Sequence, residues 1–345
     1  MNLSAASLKA LKLQFANQAK AYGIGGSELS VGQTYAATPS IAQTIYDKVV
    51  EDGNAFLQSI NINLVDELKG DKVGMSLTGR VASRTEITGG AERTPKNLLN
   101  TDSNTFELFE TEFDIAIGYK QIDQWAKFTD FANRYMAMVR RAIGNDMLQI
   151  GWAGTSVATT TVEADLSDVN IGWLQMIRVF NAGSQYLLGT TKGVAGAVTL
   201  GETDKAIGGY ATLDLLAKEA KEMLPIYHQN RDDLVLLVSA DVLSYQQSVF
   251  YELHGNTPSE KGQLNAAITK EYAGMPAITP AFFPAGTVLV TPLANLSMYI
   301  QDSSVRRIQK DKPEKNEIQD FNSLNMGYVV EDEEMTALVE GITFK

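Results

Sequence analysis

GRVASRTEITGGAERTPKNLL, residues 79–99, is the stretch on which the reading of this chain turns. It carries six charged side chains (Arg80, Arg84, Glu86, Glu92, Arg93 and Lys96), the pair Gly89 and Gly90, and Pro95. On either side the pattern changes to that of strands. Val73, Met75 and Leu77 fall at every second position before it, and Phe113, Ile115, Ile117 and Tyr119 do so after it. A period of two gathers one set of side chains on one buried face. Residues 72–79 and 110–119 are therefore read as hairpin partners, with a polar tongue between them far longer than the roughly 2 to 5 residues of an ordinary hairpin loop. Such a tongue is disordered, a lid, or an extension made to rest on something outside its own domain.

Composition narrows the choice. A length of 345 residues suggests about two domains with a sizeable core. No apolar run approaches the roughly 20 residues that cross a bilayer. Lys and Arg number 29 against 41 Asp and Glu, a net charge of −12, which argues against affinity won by neutralising phosphates. Cysteine is absent, so disulfides and thiolate metal sites are excluded. Residues 1–22 carry Lys9, Lys12 and Lys20, but their apolar positions (Leu8, Leu11, Phe15) are spaced as in an amphipathic helix, not continuous as in an export signal.

Outward from the tongue, Gly23, Gly25 and Gly26 separate that first helix from a second helical stretch over 41–60, so the first 60 residues read as an arm on a flexible joint. In residues 121–154, Trp125, Phe128, Ala132, Tyr135, Val139 and Ala142 recur at intervals of three and four, which predicts one long amphipathic helix. Residues 171–188 read as a further helix, 189–209 as loop or edge hairpin, and 211–224 as a helix stopped by Pro225. LVLLVS (234–239) predicts a strand, VLSYQQSVFYEL (242–253) a helix, and TVLVT (287–291), LSMYI (296–300) and the terminal MTALVEGITF strands. RRIQKDKPEKNEIQD (306–320) reads as a charged separator.

Chemistry is sparse along this chain. His228, followed by Asn230, Asp232 and Asp233, is the sole candidate for a carboxylate-assisted base or metal ligand, and a solvated loop explains it more simply. His254, beside Gly255 and Asn256, offers less. GIGGS (23–27) follows a helix where a phosphate cradle would follow a strand, so it reads as a hinge. Successive acids in EDEE (331–334) diverge, so they read as a solvated turn in preference to a cation site. Arg134, Arg140 and Arg141, off the apolar stripe, face either a neighbouring subunit or water.

Seven segments in order carry a resemblance: TPSIAQTI (38–45), FLQSININLVDELKGDKVG (56–74), TGRVASRTEITGGAERTPKNL (78–98), YKQIDQWAKFTDF (119–131), GWLQ (172–175), LANLSMYIQDSSVRRI (293–308) and NMGYVVED (325–332). Together they resemble the peduovirus-type major capsid proteins of tailed phages, with the Hong Kong 97 type of fold. The resemblance implies an α+β subunit of an icosahedral shell. It implies an N-terminal arm over 1–65, an extended hairpin (the E-loop) over 66–120, a spine helix over 121–154, a peripheral domain over 121–225 and 301–345, and an axial domain over 226–300.

The same resemblance implies pentamers and hexamers that enclose double-stranded DNA without sequence-specific binding, in a virion capsid assembled in the host cytoplasm with no cofactor and no membrane. Partners would be a scaffolding protein, a portal, and a maturation protease and decoration protein. The tongue would lie across a neighbouring subunit, where Arg80, Arg84, Glu86, Glu92, Arg93 and Lys96 would pair, with Arg134, Arg140 and Arg141 as further contacts. The boundary of a removable leading segment would fall near Tyr35, though GQTYAATPS departs from the relatives and an uncleaved chain is the other outcome. A covalent cross-link through Lys96 is not expected, since nothing identifies its partners. Two other readings are a cellular compartment shell of the same fold and an α/β hydrolase built on His228, Asp232 and Asp233.

Overall fold

The computed structural model describes residues 34–36, 55–73, 76–77, 82, 84, 99–100, 103–125, 131–180, 185–189, 196–254, 271–302 and 304–345. The first arm helix, residues 41–54 of the second, the 23–27 hinge and, apart from Ala82 and Arg84, residues 78–98 of the tongue lie outside them; at the end of the stretch read as the second helix, Leu57–Ser59 is a 3-10 turn that leads into an extended Ile60.

In chain order the first strands are β1 (Thr34–Ala36), β2 (Asn61–Val65), β3 (Lys69–Val73), β4 (Ser76–Leu77), β5 (Leu99–Asn100), β6 (Ser103–Glu107), β7 (Phe109–Glu112) and β8 (Ile115–Gly118). Helices α1 (Tyr119–Trp125), α2 (Phe131–Ala153) and α3 (Trp173–Phe180) follow. Then come β9 (Tyr186–Leu188), β10 (Val198–Leu200), β11 (Gly209–Tyr210), α4 (Leu213–Met223), β12 (Leu234–Val238) and α5 (Ala240–His254). The chain ends with β13 (Glu271–Tyr272), β14 (Met275–Ile278), β15 (Val288–Pro292), β16 (Leu296–Gln301), β17 (Arg306–Lys312), β18 (Glu317–Val330), β19 (Ala337–Glu340) and β20 (Ile342–Phe344).

Strand β18 organises the largest sheet, whose order is β1-β17-β18-β16-β2. Met326 faces Ile300 of β16 on one side and Phe109 of β7 on the other, so β7 and β8 occupy the opposite edge of β18. A second sheet runs β13-β14-β12-β15-β19-β9, and a small third sheet runs β11-β10-β20.

The second sheet is covered on both faces, which explains the unbroken apolar run of β12. Leu234, Leu236 and Val238 point into one core with α4 and Val242 of α5. Val235 and Leu237 point into the other, with α2, α3 and the large sheet. The centre of this second core is aromatic. Trp152 lies 4.9 Å from Trp173 and 5.0 Å from Phe283, and Trp173 lies 4.9 Å from Tyr328. Trp173 donates its indole N–H to the Ser297 carbonyl at 2.9 Å, and Tyr328 donates its hydroxyl to the Met147 carbonyl at 2.6 Å, so these two polar edges are satisfied inside the core, whereas the buried Trp152 indole N–H has no hydrogen-bond partner among the described residues. A Cβ on Gly151 would stand 2.4 Å from the Trp173 ring, so glycine there is what lets α2 and α3 approach.

Several expectations change. Residues 110–119 do not pair with 72–79. The hairpin is formed by β3 with β6 (Lys69 opposite Glu107, Val73 opposite Ser103) and by β4 with β5 (Ser76 opposite Asn100). The alternation after the tongue instead serves β18, where Ile117 lies opposite Ile318. The helix predicted over 121–154 is α1 and α2, with residues 126–130 outside the description. Its stripe is also displaced. Tyr135 and Val139 are buried with Ile122, Ile117 and Ile318, whereas Trp125 and Ala142 are exposed.

The helix over 171–188 stops at Phe180, and Tyr186–Leu188 is a strand because its hydrogen-bonding groups pair with β19. Within 189–209, β10 and β11 pair in parallel, so this is no hairpin. The charged separator is itself a hairpin, β17 with β18, turning through Asn316 at φ 54°. The terminal strand breaks at Gly341, φ 70°, where a Cβ would stand 2.7 Å from the Gly189 carbonyl oxygen.

Candidate subunit interface

The extended hairpin meets the body at a built root. Strand β6 leads through Leu108 into β7, and Leu108 donates its N–H to the Leu68 carbonyl at 2.8 Å while its side chain is buried. Phe106 lies edge-on to Tyr299 of β16, with ring centroids 5.1 Å apart. Gly70 faces Phe106 across the ladder, and a Cβ there would stand 2.8 Å from the phenyl ring. Gly327 of β18 passes under the same root, where a Cβ would sit 2.8 Å from the Glu107 carbonyl oxygen. Tyr299 in turn donates its hydroxyl to Glu331 at 2.9 Å, and burial, reinforced by that carboxylate, pushes its phenol up to about 12.

At the body end of the ladder Asp71 and Thr105 are exposed. Lys69 and Glu107 pair at 3.3 Å with both side chains more than half exposed, a contact of about 0–1 kcal/mol. Ala82 and Arg84 are exposed, and Arg80, Glu86, Glu92, Arg93 and Lys96 lie outside the described residues. On α2, Arg134 and Arg141 are exposed and Arg140 is half-buried.

Tyr35 lies in β1, opposite Arg307 of β17. That arginine is itself a structural centre. Its Nε donates to Asp320 at 2.7 Å, its second guanidinium nitrogen completes the fork, and Gln309 adds a bond at 3.1 Å, all within β17 and β18. The pair is almost wholly buried and lies beside Tyr135 of α2, whose phenol is pushed up to about 12, chiefly by burial and secondarily by the Asp320 charge. Reading 306–320 as a separator concealed this pair. Alternation of Arg307 and Gln309 with Ile308, followed by a Pro313–Asn316 turn, is the signal that would have exposed the hairpin.

The remaining candidates do not converge on chemistry. His228 is half-buried with its ring 4.5 Å from Tyr227. Asp233 is held by Arg231 through two bonds of 2.8 and 2.6 Å, and this partner pulls its carboxyl below the ordinary range, so Asp233 is committed elsewhere. Asp232 is exposed. His254 closes α5, with its side chain outside the description. Residues 331–334 are half-buried, not a solvated turn. Glu331 accepts from Tyr299, Asp332 caps the 3-10 turn Glu333–Met335, and Glu334 accepts from Tyr227 at 2.6 Å. Among the described residues no group of three or more acids, histidines or cysteines is placed to hold a metal ion, and no helix is long and apolar enough to cross a membrane.

Known proteins share this arrangement. The family model described as phage major capsid protein, P2 family, matches residues 10–342. A protein of Escherichia phage P2 described as "Capsid proteins" is 32% identical over 320 residues, covering 90% of this chain and 88% of that one. The major capsid protein of Serratia phage KSP20 is 28% identical over 329 residues, covering 92% of each. Among solved structures, a chain of the satellite phage P4 procapsid including size determination (Sid) protein superposes with a TM-score of 0.68 at 30% identity, covering 88% of this chain and 99% of that one. With its α+β fold of the Hong Kong 97 type, this chain belongs to the P2 family of phage major capsid proteins.

Proposed function

We propose that this capsid subunit builds an icosahedral phage head from pentamers and hexamers, enclosing double-stranded DNA without sequence-specific contacts, and that its extended hairpin is the principal tie between neighbours. The observation that carries the reading is the hairpin ladder itself. Residues 69–73 pair with 103–107, and 76–77 with 99–100, as a two-stranded ladder that joins the body at Phe106 and Tyr299. A lone two-stranded ribbon is at best marginally stable in water, so its ordering entropy is offset by contacts on another chain. Arg80, Arg84, Glu86, Glu92, Arg93 and Lys96 would make those contacts, with Arg134, Arg140 and Arg141 adding others from the spine. Individual exposed pairs are weak, and repetition over a shell gives strength while allowing misplaced subunits to leave.

The division of labour follows the same reading: arm 1–65, E-loop 66–120, peripheral domain 121–225 and 301–345 with its spine, and axial domain 226–300. A scaffolding protein and a portal would guide assembly, with a maturation protease and a decoration protein as further partners. A cut near Tyr35 would fall inside β1, and the intact mass of subunits from purified particles reads it directly. A mass beginning near residue 36 supports processing, and one beginning at Met1 refutes it.

Electron microscopy of the full-length chain, expressed alone and with its scaffold, tests the main reading: shells, rings or tubes are expected, and a dispersed monomer under both conditions refutes it. The role is structural, not catalytic. H228A is accordingly expected to give particles in unchanged yield, and their loss would restore the case for chemistry at that loop.

A further inference from the structure

Strand β2 (Asn61–Val65) ends the large sheet, and its sequence, NINLV, carries no charge. Among the described strands with an open edge it is the longest of which this is true. It runs parallel to β16, with Asn61 opposite Ser297 and Val65 opposite Gln301. The Val65 carbonyl accepts the Asp302 N–H at 2.7 Å, which fixes the phase of the ladder: Asn61, Asn63 and Val65 turn their backbone groups to β16, and Ile62 and Leu64 turn theirs away. Among the described residues those outward groups meet no partner strand. The side chains alternate as well. Ile62 and Leu64 pack against the aromatic core and stay partly exposed, whereas Asn61 and Asn63 are exposed on the other face.

An open edge is a template for pairing, which proteins ordinarily blunt with charge, proline or a bulge. Residues 61–65 contain neither charge nor proline, and their register with β16 is unbroken. The edge lacks a strand, and its own sequence supplies a matching one. Antiparallel pairing of two copies about Asn63 sets Ile62 of each opposite Leu64 of the other, so their outward N–H and carbonyl groups are exchanged. Of the registers that keep this phase, only centring on Asn63 pairs both outward residues within 61–65. The same register carries the apolar side chains of the core face across the junction as cross-strand pairs. Asp66 and Glu67 fall opposite Ile60 and Ser59, so no like charges meet.

Contacts that close a ring are heterologous, joining one patch to a different one, and they leave neighbouring rings unconnected. A patch that meets itself across a twofold axis joins two subunits without needing the ring to continue. We propose that β2 is such a contact: the β2 edges of two copies of this chain, in adjoining rings, pair antiparallel about Asn63 and make one sheet continuous through both subunits.

This assignment rests on the shell reading, and the test separates the two. The chain has no cysteine, so an introduced thiol is unique. In the proposed register Asn63 faces its own counterpart in a non-hydrogen-bonded pair, with Cα atoms about 4.5 Å apart and within disulfide reach. N63C is placed in the full-length chain, and assembled particles are oxidised mildly. Dimers are expected on a denaturing gel, reversed by reductant, and absent both from unassembled subunits and from particles of D232C, whose thiol lies at another exposed position. Normal particles that yield only monomer overturn the strand pairing and leave the shell reading standing. A parental chain that forms no particle overturns both. Charge reads the same contact without thiols, with circular dichroism checking that the unassembled variants fold. N63K and N63E are each expected to assemble roughly fivefold more weakly, because like charges then face each other, and the two co-expressed to recover parental yield. Single variants that assemble as the parent does, or a mixture no better than its components, overturn the assignment. Amide exchange needs no substitution at all: in the parental chain, residues 60–65 are expected to exchange at least about tenfold more slowly in particles than in free subunits, and equal exchange overturns the pairing.

Discussion

Arg307 and Asp320 show how much one residue pair holds. Both are more than nine-tenths buried, and their fork joins β17 to β18 next to Tyr135 of α2. Breaking a buried pair leaves an uncompensated charge, so D320N is expected to destabilise the isolated subunit by about 3 kcal/mol, read from the urea midpoint. Replacing both partners, as R307M/D320L, is expected to recover most of that loss, because no charge is then stranded. Asp146 works in the opposite sense. Its folded carboxyl sits above its unfolded value through burial, so the neutral form is favoured in the fold. Stability from that preference is present in full below the ordinary carboxylate range and is lost as pH rises through the folded value. D146N is therefore expected to raise the stability of the unassembled subunit at neutral pH, and the difference from the parent to vanish near pH ~3. A variant less stable than the parent at neutral pH would contradict this.

Among elements, the hairpin is the one whose local and global stability separate. Its ladder meets the body at a small aromatic contact, so F106A is expected to loosen β3 and β6 while leaving the global unfolding midpoint nearly unchanged. The edge-on ring pair accounts for about 1 kcal/mol, which corresponds to amide exchange in residues 69–73 and 103–107 roughly five- to tenfold faster. Equal protection in parent and variant would show that the root is fixed by something other than Phe106. Elements that close on themselves were legible from short-range chemistry. Helix α4 begins where Thr212 accepts the Leu215 N–H at 3.4 Å and ends before Pro225, and both signals are local. The unbroken apolar run of β12 announced a strand for the same reason. Elements whose identity depends on a distant partner were not legible. Tyr186–Leu188 continues a helical pattern and becomes a strand because β19, some 150 residues away in sequence, supplies its hydrogen bonds.

At the scale of the whole molecule, the proposed function makes the tongue an extension that assembly requires and folding does not. Excising residues 79–98 and joining the ladder with a two-residue turn is expected to leave a soluble subunit with the parental circular dichroism and no shells in electron micrographs. Shells from that variant would remove the hairpin from the assembly contact. Of the interface, the charged tongue and its order among seven motifs were visible in sequence, because they are contiguous. The open edge of β2 was not, since residues 61–65 become a strand only where β16, far later in the chain, takes their other edge.

By itself the sequence determined the elements with strong local signals, such as α4 and β12, the absence of disulfide chemistry, the long polar tongue and the family. Periodicity, caps and breakers act within a few residues, and ordered motifs need no partner to be recognised. The tertiary structure alone decided that the strand after the tongue belongs to β18 and not to the hairpin, that the charged 306–320 segment is a paired and partly buried hairpin, and that one sheet serves two cores. Strand partnership is a sum of long-range hydrogen bonds and shared burial, and the same alternation is satisfied by any strand that offers a complementary face.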